Sequence, residues 1–149
     1  MHFTVLYFKE NTTLEDLESS YSDVSGFIVE DFGTKYCDCC GETEPEVSDI
    51  CDWFQVGGRW CDALKATKGY VGDLSWCNVG QPEKEGQYSI VNSTDLDEDF
   101  LQNNLEKGFY GIATESDYFE EDDPRFKDFM TKLKNKEIKG VITLIDCHM

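Results

Sequence analysis

Over residues 2–8, apolar and polar positions nearly alternate. Phe3, Val5 and Tyr7 interleave with Thr4 and Leu6, which predicts a strand with at least one buried face over "HFTVLYF", residues 2–8. The pattern then changes period. In "NTTLEDLESSY", Leu14, Leu17 and Tyr21 fall at helical intervals behind Thr12 and Glu15, the spacing of a capping box, so a short helix is expected. "GFIVEDF" (26–32) and "QYSIVN" (87–92) read as strands, and "FYGIATES" as another. In "WFQVGGRW" bulky residues flank Gly57-Gly58, a pair able to supply the positive φ values of a hairpin turn.

Two stretches predict stronger helices. "STDLDEDFLQNNLEKG" offers Ser93 or Thr94 as N-cap, acids in its first turn, an apolar side of Leu96, Phe100, Leu101 and Leu105, and Gly108 as the stop. "DDPRFKDFMTKLKNKEIKG" places Asp123 as cap, Pro124 at the first helical position, and Phe126, Phe129, Met130 and Leu133 on one face. The closing "GVITLIDCHM" is an apolar, β-branched run and predicts a buried strand. Helices and strands interspersed in this way predict an α+β fold with a mainly antiparallel sheet, two to three helices and one irregular loop region. At 149 residues the chain is expected to be a single domain, 1–149.

Charge alters the functional picture. Against 31 Asp and Glu stand 13 Lys and Arg, a net charge of -18, while 40% of residues remain hydrophobic, so the acidity comes without the apolar poverty of a disordered chain. Such a body repels phosphate backbones and attracts basic surfaces, which argues against nucleic acid as a direct ligand and for a basic protein partner. The N-terminus lacks the basic flank and apolar run of a signal peptide, and no segment has the apolar length of a membrane span; a cytoplasmic location without membrane contact is expected.

Five of the seven cysteines lie between residues 35 and 64. In a reducing compartment such crowding points to metal rather than to disulfides. Cys37 and Cys40 enclose two residues and precede Gly41, the turn that aims two thiolates at one ion; Cys51 and Cys61 are the natural second pair, with Cys39 able to replace any of the four. Four thiolates leave no open position for water, so the zinc expected here is structural, and it would stabilise the loop region.

Three short blocks, "HFTV", "DWFQVGGRW" and "LIDCHM", carry a resemblance. The chain is similar to a group of phage and prophage proteins that open with HFTV, hold a W-D-W-Y-x-x-G-G-R-W-like centre and close with V-D-C-H-I. It departs from them in having Cys51 where an aromatic or basic residue would be expected and Phe54 for Tyr. Within that group its acidic, cysteine-rich form resembles zinc-containing anti-CRISPR proteins of streptococcal prophages. That resemblance implies an inhibitor of a type II RNA-guided DNA nuclease, acting in the cytoplasm of an infected bacterial host, without catalysis of its own. The target's positively charged nucleic-acid channel would complement an acidic surface.

The densest acid groups are Asp95, Asp97, Glu98 and Asp99, and then Glu115, Asp117, Glu120, Glu121, Asp122 and Asp123, the latter set interleaved with Tyr118 and Phe119 as apolar anchors. Acids before a helix equally serve its dipole and cap. A different chemistry is open at the termini. His2 and His148 meet if the first and last strands are neighbours, with Asp146, Cys147 and Arg59 at hand, a combination fit for acid–base work or for holding a small nucleotide. Arg59 between aromatics fits a stack on tryptophan or a bridge to Asp146 as well. No hydrolase or phosphate-loop motif accompanies them.

Overall fold

The computed structural model describes residues 2–17, 51, 53–60, 63–71 and 86–148, with the backbone alone at Trp53 and Arg59. The proposed strand at 26–32, the candidate ligands Cys37, Cys39, Cys40 and Cys61 and residues 72–85 lie outside the described residues. Within them, eight strands and three helices form an α+β fold with a mixed, mostly antiparallel sheet.

Two nine-residue strands are the spine. β1 (His2–Glu10) and β8 (Gly140–His148) pair antiparallel along their whole length, from His2 opposite His148 to Glu10 opposite Gly140. On the far side of β1 lie β6 (Gly111–Ala113), its one parallel neighbour, and then β7 (Tyr118–Glu120). The outer edge of β8 is shared end to end by β2 (Trp53–Val56), which pairs residues 145–148, and β5 (Ile90–Asn92), which pairs residues 141–143. β3 (Leu64–Lys65) and β4 (Gln87–Tyr88) form a separate two-stranded ribbon.

Because β1 and β8 sit inside the sheet, both their faces are covered, which explains unbroken apolar runs where a surface strand would alternate. One face carries Leu6, Phe8, Ile112, Phe119, Ile142 and Leu144. Against it pack Phe126, Phe129, Met130 and Leu133 of α3 (Pro124–Lys134) and Leu101 of α2 (Glu98–Asn103). Burying each large side chain of α3 contributes about 1.5–3 kcal/mol, so this single amphipathic face is the main tie between helix and sheet. The opposite face carries Val5, Tyr7, Val56, Ile90, Ala113, Ile145 and Cys147, and Leu14 of α1 (Leu14–Leu17) and Cys51 join the same apolar layer.

Several local expectations are corrected. The first capping box is Thr13 with Asp16, one residue beyond Thr12 and Glu15: the Thr13 hydroxyl accepts from the Asp16 N–H at 3.3 Å and the Asp16 carboxylate accepts from the Thr13 N–H at 3.1 Å. "QYSIVN" is two strands broken at Ser89, because Gln87–Tyr88 pairs with β3 while Ile90–Asn92 joins β8. The helix expected from Ser93 is three pieces: a 3-10 turn Ser93–Asp95, then α2 capped by Asp97, then a 3-10 turn Leu105–Gly108. Asp97 wins as cap because Leu96 is drawn into the core beside Ala66, leaving the chain extended there. "FYGIATES" contributes three strand residues. "WFQVGGRW" is no hairpin among the described residues; β2 pairs with β8, and Gly58–Trp60 is a 3-10 turn.

Candidate functional site

Gly57 and Gly58 do have the positive φ values expected of them, 81° and 52°. Their use is different. The Gly57 N–H donates to the Leu144 carbonyl at 2.8 Å, pinning the turn to β8, and a Cβ at Gly58 would collide with the Asp146 carboxylate. The glycine turn is therefore a lid on a buried acid. Asp146 itself has no exposed surface.

The β1–β8 register then sets the surroundings. Thr4 stands opposite Asp146 on one side and Gln55 opposite it on the other, while His148 lies between His2 and Trp53. His2, Thr4, Gln55, Asp146 and His148 share the face that carries Leu6 and Leu144 further along, so the apolar layer under α3 ends in a polar corner at the tip of the sheet. His2 Nδ1 lies 2.7 Å from Asp146 Oδ1. The His2 and His148 rings meet edge to face with centroids 4.9 Å apart. Thr4 donates its hydroxyl to the Gly108 carbonyl at 2.9 Å, closing the corner from the β6 side.

The three sequence blocks "HFTV", "WFQVGG" and "IDCH" thus converge on one point, although 144 residues separate His2 from Asp146. His2, Asp146 and His148 are brought together as anticipated; Cys147 is not, because strand alternation turns it to the opposite face with Cys51 and Val5. Arg59 follows Gly58 in the turn, and its side chain lies outside the described residues. Gln55 and Thr4 were not anticipated. A period of two from His148 and His2 identifies them once the partner strands are known.

The acidic residues occupy a second region, the two ends of α3. At its start Asp123 caps the helix, accepting from the Arg125 N–H at 2.9 Å, and Arg125 pairs with Asp123 at 2.9 Å and with Asp117 at 3.2 Å while lying over the Phe119 ring. Arg125 and the capping N–H hold the Asp123 carboxyl below its ordinary range. Glu115 pairs with Lys9. Phe119 is core, 7% exposed and packed on Phe129, so it is not available as an anchor; Tyr118 is half-buried, and burial, then Glu120, pushes its hydroxyl up. Glu121 and Asp122 are exposed.

At the other end, Asp97 accepts from the Phe100 N–H at 3.0 Å as the α2 cap, Glu98 pairs with Lys136 at 3.0 Å, Asp99 accepts from Asn103 and Asp95 from Asn92. Helix α3, eleven residues long, separates the two acid groups by about 16 Å. Between its N-terminal half and the β6–β7 hairpin runs a groove of 490 Å³ with a floor of Phe8, Phe119 and Phe129 and acids Glu10, Glu115, Asp117 and Asp128 on its rim.

Of the proposed zinc ligands, Cys51 alone lies among the described residues. It is 2% exposed, two residues before β2 in the apolar layer that includes Val5, Tyr7 and Val56. Among the described residues no three His, Cys, Asp or Glu side chains converge as a metal would need. No helix among them is long and apolar enough to cross a membrane. The chain matches no family model, no curated protein and no solved structure.

Proposed function

We propose that the protein acts by stoichiometric binding, as a phage-encoded inhibitor that docks its carboxylate surface on a basic, nucleic-acid-holding host protein, a type II RNA-guided DNA nuclease. Its place of action would be the cytoplasm of the infected host. The observation that carries this reading is the charge ledger. Thirteen cations cannot neutralise more than thirteen of 31 carboxylates, and Lys9, Lys68, Arg125, Lys132, Lys134 and Lys136 are already paired within the molecule. A large unmatched anionic surface therefore remains, and it attracts a cationic cleft over about a Debye length, near 8 Å at physiological salt.

The acids differ in what they can give to a partner. Asp97 and Asp123 are committed to helix caps, whereas Glu121 and Asp122 stand exposed in the turn before α3. The structural zinc proposed for Cys37, Cys40, Cys51 and Cys61 would add its binding energy to the stability of the fold.

Purified protein should block DNA cleavage by a type II effector at near-equimolar ratio, with the block weakening as salt rises. The double change Glu121→Lys and Asp122→Lys should weaken it about tenfold, an electrostatic loss near 1.4 kcal/mol. Unhindered cleavage across a panel of such effectors would sink the reading.

A further inference from the structure

Helix α3 ends at Lys134, and residues 135–139 turn the chain back into β8. Lys136 makes that turn in the left-handed region, at φ 62°, with its N–H donating to the Leu133 carbonyl at 3.1 Å. Glycine is the usual residue at such a helix end, because it has no Cβ to crowd the backbone. What a lysine adds there is an ammonium group, and Lys136 lines a cavity. Its Nζ lies 3.0 Å from Glu98 Oε2, which belongs to another wall of the same cavity.

The cavity, of 240 Å³, lies between the start of α2 and the turn from α3 to β8. Leu96, Leu101 and Leu133, all buried, and the half-buried Ile138 give it an apolar floor. Ser93 Oγ accepts from the Gly140 N–H at 3.1 Å, which fastens one wall to the start of β8. The charged residues that line it are two cations, Lys136 and Lys139, and one acid, Glu98, a local excess of positive charge in a molecule of net charge -18. The Lys136–Glu98 pair is easily exchanged, since its two side chains are 62% and 60% exposed and water screens them. Glu98 Oε1 also accepts from Gln102 at 3.2 Å and so keeps a partner when Lys136 turns to another anion.

We infer that this cavity binds a small monocarboxylate with a short apolar body, which lies on the leucine floor while its carboxylate faces Lys136 and Lys139. Water over the floor finds no polar partner on the leucine side chains, so an apolar group that displaces it gains affinity. The space of 240 Å³ equals about eight waters at ~30 Å³ each, which sets the body at roughly that many non-hydrogen atoms. Two ammonium groups offer several donors to the two oxygens of one carboxylate. The repulsion from the rest of the molecule is screened beyond about 8 Å, so a single negative charge at this mouth is governed by the lysines beside it. The inference is independent of the inhibitor reading: Glu121 and Asp122 precede the other end of α3, and Glu98 enters only as the exchangeable partner of Lys136.

The methyl signals of Leu96, Leu101, Leu133 and Ile138 in a carbon–proton NMR spectrum of the whole chain report the cavity directly. Titration with hexanoate should move them together and saturably. Hexanol, the same apolar body without the charge, and hexylammonium, with the opposite charge, should bind about tenfold more weakly, and acetate, a head without a body, should leave the signals in place. Lys136→Gly suits the left-handed backbone, so it should keep the fold while it weakens hexanoate; combined with Lys139→Gln the loss should reach about tenfold. Three results would overturn the proposal: hexanoate moving these signals no more than sodium chloride of matched ionic strength, hexanol binding as tightly as hexanoate, or the folded double variant binding hexanoate undiminished.

Discussion

At Gly58 two constraints coincide: a φ of 52° that L side chains rarely adopt, and contact with the buried Asp146 carboxylate that leaves no room for a Cβ. Gly58→Ala should therefore destabilise the protein by about 1–3 kcal/mol in urea unfolding. Gly108 is the control. A Cβ there meets no atom within 4 Å, so Gly108→Ala should leave the midpoint nearly unchanged. Glu15 is informative in a different way: a backbone N–H, then Lys68 and Asn92, lower its carboxyl from 4.5 to about 2. A depressed folded-state value means stability that is present above the unfolded value and lost as pH falls through the folded one. Stability should accordingly decline between pH 4.5 and about 2, and Glu15→Gln should flatten that decline in acid titrations followed by circular dichroism.

At the scale of elements, α3 was the most legible part of the chain. Its cap, its Pro124 and its four apolar positions all act locally, and all are found where the spacing puts them. Met130→Ala, at 1% exposure between helix and sheet, should cost about 2–5 kcal/mol. Asp123→Ala should cost about 1 kcal/mol through the lost cap. The segment from Ser93 to Gly108 was less legible because helical spacing competed there with the demand of the core for Leu96, which breaks the helix and hands the cap to Asp97. The Gly57-Gly58 pair misled for a similar reason. Its φ values were foreseeable, but the partner of β2 is a strand some ninety residues away, which no local pattern reveals.

For the molecule as a whole, the charge of -18 and the crowded thiols lead to two measurable expectations. Native mass spectrometry of protein purified under reducing conditions should find one zinc ion per chain, and its removal by a chelator should lower thermal stability, since ligands gathered by folding return binding energy to the folded state. Inhibition of a nuclease, in contrast, should depend on the exposed acids Glu121 and Asp122 far more than on the capping acids Asp97 and Asp123, whose replacement acts through stability. The corner of His2, Asp146 and His148 lies at the tip of the sheet and belongs to neither account.

Composition and short-range spacing were enough to determine an α+β class, the amphipathic α3, the buried terminal strands and a net charge of -18, because each follows from side chains a few residues apart or from their sum. The pairing of β2 and β5 along one edge of β8, the parallel contact of β1 with β6 and the burial of Phe119 were decided by tertiary structure. So was the meeting of His2, Gly58, Asp146 and His148. Strand register and sheet order act across more than a hundred residues, and only the packed core selects among the pairings that local pattern allows.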